Sequence, residues 1–365
     1  MATCTVSGVR LAGIASAVPD RVRTLASHAA VFGEAEVRKI SESIGVKSRQ
    51  VAFDGMCTSD ICFAAADRLL NDLAWPRESV DALIFVSQTP DYVLPATSCC
   101  LQERLRLSKR CAAFDVGLGC SGHIYGLWIA SSLLVGGGAR RVLLLTGDTH
   151  SYICSPLDRS VALLFGDAGT ATALEADGSA APMTFVLGTD GSGRDALIMP
   201  AGLFRNPHTE ETAIRTAGED GNSRSAEDLF MNGAEIFAFT LREVPPLILA
   251  VLQGAGWSVD EVDAFVFHQA NQFMLQHVAR RLKLPKDKFI LAMEEFGNTG
   301  SASVPVAMSA RLAARLRSAS LRTVLAGFGV GYSWGAVALT CGPMVMPDVL
   351  KVPGSVVGTV SSRSE

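Results

Sequence analysis

Trp75–Phe85 reads WPRESVDALIF and Trp257–Phe267 reads WSVDEVDAFVF. Both open on Trp, run four residues, and then give Val-Asp-Ala and an apolar run ending in Phe, at an offset of 182 residues. A second pair keeps the same offset: the apolar run from Val142 (RRVLLLTG) matches the one from Val324 (RTVLAGFG). Two matches in one register mark an internal duplication, the pattern to seek before any motif. Between them each half carries a stretch of small and apolar residues at helical spacing, 121–134 and 301–316. Each half therefore reads as alternating strands and helices, a layered α/β unit.

The runs ALIFVS, VLLLTG and AFVFH lack the period-two alternation of a sheet with one wet face, so helices are expected on both of their sides. In such sheets ligands gather where strands end and helices begin. That rule nominates the residues after Phe114-Asp115-Val116, after Phe267, and around Phe296-Gly297-Asn298. A boundary is expected near residue 176, where DGSAAP supplies a turn, dividing the chain into halves 1–176 and 177–343. The polar stretch 201–226 is expected to form an exposed insertion. Residues 344–365 are expected to form an extension whose SSRSE end is disordered.

With 365 residues, 48% hydrophobic and 19% charged, the chain buries a large core or two fused ones. A net charge of −4 gives no global attraction to nucleic acid or to an anionic membrane. No basic-then-apolar leader opens the sequence, and no apolar run is long and Gly-free enough to span a bilayer, so a cytoplasmic protein is expected. Nine cysteines are scattered through apolar segments with no CxxC pair and no Cys/His cluster at metal spacing. Neither a disulfide framework nor a metal site follows from them.

Cys120 stands apart from the other cysteines. It follows the strand AAFDV and a short glycine turn and precedes the apparent helix SGHIYGLWIASSLL, a position whose free N–H groups are expected to lower the thiol pKa. His268 ends the strand DAFVF, and Asn298 lies in the turn FGNTGSASVP. Alone, a His at a strand end is more often a packing residue, and an Asn before a helix is often only a cap; His150 and His277 keep the packing reading. Together, Cys120, His268 and Asn298 sit in three strand-to-helix turns of a duplicated sheet, where a nucleophile and two hydrogen-bonding groups converge. Gly331-Tyr332-Ser333-Trp334-Gly335 formally matches GxSxG, but a hydrolase elbow needs a helix after the Ser, and AVALTC is strand-like.

These pieces, FDVGLGCSG around Cys120, PLDRSVALLFGDAGTA, HQAN at His268, FGNTGSASVP at Asn298 and GFGVGYSWG, resemble those of β-ketoacyl-ACP synthase III, a condensing enzyme of the thiolase superfamily. The resemblance spans roughly residues 5–342. It implies a thiolase-like α/β fold, with duplicated βαβαβαββ halves forming five αβαβα layers. It also implies a mechanism in which Cys120 takes an acyl group from a thioester while the backbone N–H groups of Cys120 and Val330 hold the oxyanion. His268 and Asn298 would then hydrogen-bond a malonyl thioester as it loses carbon dioxide and attacks the acyl-Cys. Leu94 and Phe328 would shape the acyl pocket, with Leu94 supplied by the partner of a homodimer and altering chain-length preference. Arg159, Asn271, Arg280 and Arg281 would bind the thioester arm or an acidic acyl carrier protein.

No permanently bound cofactor is implied; acyl-CoA or acyl-ACP thioesters are substrates, and neither nucleic acid nor a membrane is a partner. Lys39 and Ser43 replace the Trp and Arg that hold adenine in well-known members, and Phe273 replaces a partner-binding Arg. Those departures keep a second reading open: transfer of the acyl group to an oxygen or nitrogen nucleophile, or the joining of two acyl chains, in a specialised pathway. A third is a non-catalytic subunit of a condensing complex.

Overall fold

The computed structural model describes residues 2–356. Two six-stranded sheets dominate it. One runs, in spatial order, Leu350–Val352, Val9–Pro19, Ala168–Ala176, Arg141–Asp148, Ala82–Val86, Ala112–Val116. The other runs Ala2–Val6, Met183–Thr189, Ser333–Cys341, Leu321–Gly329, Ala264–Phe267, Phe289–Ile290. Strand directions repeat as well: in each sheet the last three strands are mutually parallel and the preceding neighbour is antiparallel to them. The strands aligned by the duplicated sequence, Ala82–Val86 with Ala264–Phe267 and Arg141–Asp148 with Leu321–Gly329, occupy equivalent places.

The continuous apolar runs behave as two-faced strands. Ala82, Ile84 and Val86 enter the core between the sheets, whereas Leu83 and Phe85 enter a second core outside. In the other half Ala264 and Val266 face inward, and Phe265 and Phe267 outward. Alternate residues of a strand point to opposite faces, so a strand covered on both sides must be apolar throughout. Helices Gly122–Gly136 and Ser303–Ser318 pack against both sheets and form the middle layer. Thr58–Asp72 covers the first sheet from outside and Gly233–Ala255 the second, completing five αβαβα layers in a thiolase-like fold.

One feature departs from a simple division into consecutive halves. Ala2–Val6 pairs with Met183–Thr189 in the second sheet, and Leu350–Val352 pairs with Val9–Pro19 in the first. The edges of both sheets are thus extended by strands distant in sequence, which covers otherwise open backbone donors and acceptors. Val345 and Leu350–Val352 accordingly pair with the first sheet, so this segment is not a loose appendage, while the expected disorder of SSRSE concerns residues outside those described. The 201–226 stretch is largely exposed, with a short helix Glu210–Ala213 and a two-stranded ribbon pairing Thr216–Ala217 with Ser223–Arg224.

Candidate active site

Cys120 lies in the turn between the edge strand Ala112–Val116 and the helix Gly122–Gly136, and is only 7% exposed. Strand Leu321–Gly329 of the other sheet passes so close that a Cβ on Gly327 would stand 2.6 Å from the Cys120 carbonyl oxygen. A Cβ on Gly329 would stand 2.8 Å from the sulfur. Glycine is required at both places because the two halves meet backbone against turn. The backbone N–H groups of Val330 and of Cys120 itself favour the thiolate, but burial outweighs them and pushes the Cys120 thiol up to about 12. The lowering expected from the helix terminus is therefore overturned: removing the sulfur from water costs its charged form more than the nearby N–H groups return.

His268 follows strand Ala264–Phe267, and its own N–H is tied to the Ala326 carbonyl at 2.7 Å. Its side chain is 1% exposed, with Nδ1 2.7 Å from Ser303 Oγ and the ring edge-on to Phe328 at 5.8 Å. Burial first, and His150 second, hold the imidazole down at about 3. It is neutral at physiological pH, the form able to accept a proton or donate one hydrogen bond. Asn298 is 4% exposed, and its backbone is bracketed by the first half, its N–H bonding Leu164 O and its carbonyl accepting from Gly166 N–H, each at 3.0 Å. Its Oδ1 accepts the Gly300 N–H at 3.0 Å, which leaves Nδ2 as the donor end of the amide.

Cys120, His268 and Asn298 line one narrow cavity of about 50 Å³, together with Phe328, Asn271 and Met274. Cys120 and Val330 also border a second cavity of about 360 Å³, lined by Phe165, Ile198, Leu229 and His150 among others. The sulfur thus sits where a narrow passage meets a wider chamber.

The remaining candidates are placed less centrally. Asn271 lines the narrow cavity but also caps helix Gln272–Leu282, accepting the Met274 N–H at 2.8 Å. Arg159 donates to the Asp220 carbonyl at 2.8 Å, so it anchors the 201–226 insertion. Arg280 and Arg281 are exposed on helix Gln272–Leu282; Arg280 bonds His277, and Arg281 donates to the Leu241 carbonyl. Leu94 is 80% exposed and lines neither cavity beside Cys120 in this single chain. Ser333 begins a strand, is buried, and bonds Ser121 Oγ at 2.6 Å and Val330 O at 3.0 Å, so it serves as a structural hydroxyl with no helix behind it.

Two residues near the site, Asp148 and His150, carried no sequence motif, and a third, Ser303, lies inside FGNTGSASVP with no role that the sequence assigns. Asp148 is fully buried at the end of strand Arg141–Asp148. Its Oδ1 accepts from Gln88 N–H and Ser87 Oγ, and its Oδ2 from the N–H and Oγ of Ser301, two residues beyond Thr299 in the Asn298 turn. This carboxylate fastens the first half to the second beside the site; the only signal was a charged residue closing an otherwise apolar strand. Ser303 orients His268, and His150 lies in the chamber. Among the described residues no cluster of three or more His, Cys, Asp or Glu side chains is arranged to hold a metal.

Residues 114–191 match the family described as 3-oxoacyl-[acyl-carrier-protein (ACP)] synthase III, and residues 252–341 match the C-terminal part of the same family. A β-ketoacyl-[acyl-carrier-protein] synthase III of Rhodopirellula baltica is 34% identical over 350 residues, covering 90% of this chain and 97% of the relative. Among solved structures, a 3-oxoacyl-(acyl-carrier protein) synthase from Burkholderia xenovorans is 43% identical with a TM-score of 0.91, covering 96% of this chain and 99% of that one. A β-ketoacyl-[acyl carrier protein] synthase III from Thermus thermophilus is 33% identical with a TM-score of 0.77, covering 92% and 99%. With the glycine-flanked cysteine, the histidine and the asparagine brought to one cavity, the chain belongs to the 3-oxoacyl-[acyl-carrier-protein] synthase III family.

Proposed function

We propose that this protein is a condensing acyltransferase that joins a Cys120-bound acyl group to a malonyl thioester, giving a 3-oxoacyl thioester and carbon dioxide. The observation that carries the reading is the convergence of Cys120, His268 and Asn298 on one cavity, with two backbone N–H groups at the sulfur.

In the first step the Cys120 sulfur attacks the acyl thioester carbonyl, and the carrier thiol leaves with the proton that Cys120 gives up. The N–H groups of Cys120 and Val330 meet the oxygen that becomes negative in the tetrahedral intermediate. In the second step the malonyl thioester carbonyl accepts hydrogen bonds from His268 and from Nδ2 of Asn298. The carboxylate departs as carbon dioxide, and the electron pair it leaves forms an enolate held by those two donors. That carbanion attacks the acyl-Cys carbonyl and expels the Cys120 sulfur. Burial works in favour of this sequence, since a site from which water is excluded strengthens each hydrogen bond to the developing charge.

In this reading the functional division follows the sequence halves, with residues 1–176 giving the nucleophile and 177–343 the two hydrogen-bonding side chains. An acyl carrier protein or coenzyme A brings the acyl groups, with Asn271 along the narrow passage, Phe328 against the reacting centre, and Arg159, Arg280 and Arg281 toward the carrier. The exposed run Tyr92, Val93 and Leu94 supports a homodimer in which this tip is covered by, and helps close, the partner's acyl chamber. The enzyme is read as cytoplasmic, and no described helix is long and apolar enough to cross a membrane.

The deciding experiment incubates the purified protein with an acyl-CoA and malonyl carrier protein, and follows carbon dioxide release together with the mass of the product. Release coupled to a 3-oxoacyl product is expected. Acylation of Cys120 with no carbon dioxide release would replace condensation by simple transfer.

A further inference from the structure

The 360 Å³ chamber beside Cys120 is the size of a small-ligand site and borders the sulfur that would carry the acyl group. Phe165, Ile198 and Leu229 give it apolar walls, and the one buried polar side chain among its lining groups is His150. Gln88 and Arg194 also border it but are exposed, with Arg194 turned to Asp195.

His150 is 5% exposed and its ring stacks on Phe165 at 4.7 Å. The ring makes no hydrogen bond to any described residue, and its Nδ1 is enclosed without a partner. A Cβ on Gly300, where φ is +57°, would stand 2.4 Å from both Asp148 Oδ2 and His150 Cε1. The Asn298 turn is thus glycine where it packs on the carboxylate and on the imidazole. An aliphatic residue would fill this wall without leaving a buried polar group unsatisfied, and such groups are uncommon unless something else meets them. His268, across the sulfur, has Ser303 as its fixed partner; His150 has none in the resting protein.

We propose that His150 selects the acyl donor: the chamber takes an acyl thioester bearing a hydroxyl or keto oxygen in its first few carbons, and a ring nitrogen of His150 hydrogen-bonds that oxygen. A neutral imidazole offers one donor and one acceptor, so it serves either oxygen type. A site built around such a bond discriminates against the analogue lacking the oxygen, because the polar group is then left unpaired beside an alkyl chain. The inference rests on the reading of Cys120 as the acyl acceptor.

The test measures formation of acyl-Cys120 by intact mass with three matched four-carbon donors: 3-hydroxybutyryl-CoA, acetoacetyl-CoA and butyryl-CoA. At equal concentration, at least one oxygenated donor is expected to load about tenfold faster or more than butyryl. In H150L that ratio falls to near one, and in H150N, which keeps a hydrogen-bonding end, part of it survives. Equal loading of all three donors by the unaltered protein overturns the inference without need of any variant, and so does a ratio that persists in H150L. If no donor acylates Cys120, the acyl-acceptor reading fails and takes this inference with it; if acylation occurs without preference, only the inference fails.

Discussion

The turn after the edge strand carries different chemistry in the two halves of the molecule. In the first, Ala112–Val116 leads to Cys120; in the second, Phe289–Ile290 leads to Asn298. The adjoining strands diverge in the same way, Ala82–Val86 running into Ser87 and Gln88, and Ala264–Phe267 into His268. Each turn precedes a helix of the shared middle layer, so both open toward the same gap. A duplicated backbone thus supplies equivalent positions twice, and the side chains placed there break the symmetry: a nucleophile from one copy, hydrogen-bonding groups from the other. The division has a physical use, since the reacting groups are held by separate rigid sheets and meet only when both halves are packed.

The harshest way to break this contrast is at the sulfur. C120S is expected to lower acyl-enzyme formation by at least about a thousandfold, read by intact mass, because the hydroxyl is a far weaker nucleophile in the same place. Persistent loading at its usual rate would remove the first half's assigned part.

H268A and N298A sharpen it. Each is expected to slow carbon dioxide release by about a hundredfold to ten-thousandfold, while single-turnover loading of Cys120 stays within about tenfold of the unaltered protein. Equal losses in both steps would show that the halves do not divide the reaction.

The joint between the halves is tested by D148A. Gln88 and Ser301 lose a buried acceptor they share, so stability is expected to fall on the order of 3 kcal/mol, measured by urea unfolding. An unchanged unfolding midpoint would mean that Asp148 does not hold the turns together.

Taken group by group, acid gives the smallest effect. Burial holds His268 and His123 at about 3, and burial with Arg49 and Arg23 holds His28 at about 4, against an ordinary 6.5. These folded values lie below the unfolded one, so the unfolded chain binds protons first as pH falls. The stability concerned is complete above about 6.5 and is lost progressively down to about 3. By pH 5 each fully buried imidazole contributes a loss of up to about 2 kcal/mol. A urea midpoint that stays level between pH 7.5 and pH 5 would contradict this.

How far the site could be read beforehand varied with the kind of signal. His268 and Asn298 were legible because each stands in a distinctive run, HQAN or FGNTG, after a strand of the repeat. His150 reads in sequence as a packing residue, since a single histidine after LLLTGDT has no periodicity or partner in sequence to mark it. Its meaning comes from Phe165 and Gly300, which lie 15 and 150 positions away. Leu94 and Arg159 are placed by motif in the sequence; in the single chain one lies exposed and the other is tied to Asp220 of the insertion.

The pattern of residues determined by itself that two similar α/β units exist, that their strands are covered on both faces, and that a cysteine, a histidine and an asparagine stand at strand ends. Those properties follow from periodicity and local turn chemistry, which each segment carries within a dozen residues. Only the tertiary structure decided that the outermost strands are exchanged between sheets, that a chamber with an unpartnered imidazole adjoins the sulfur, and that the Cys120 thiol is raised and not lowered. Edge pairing, cavity shape and desolvation are all set by which distant segments come to lie against one another, and no stretch of chain holds that information alone.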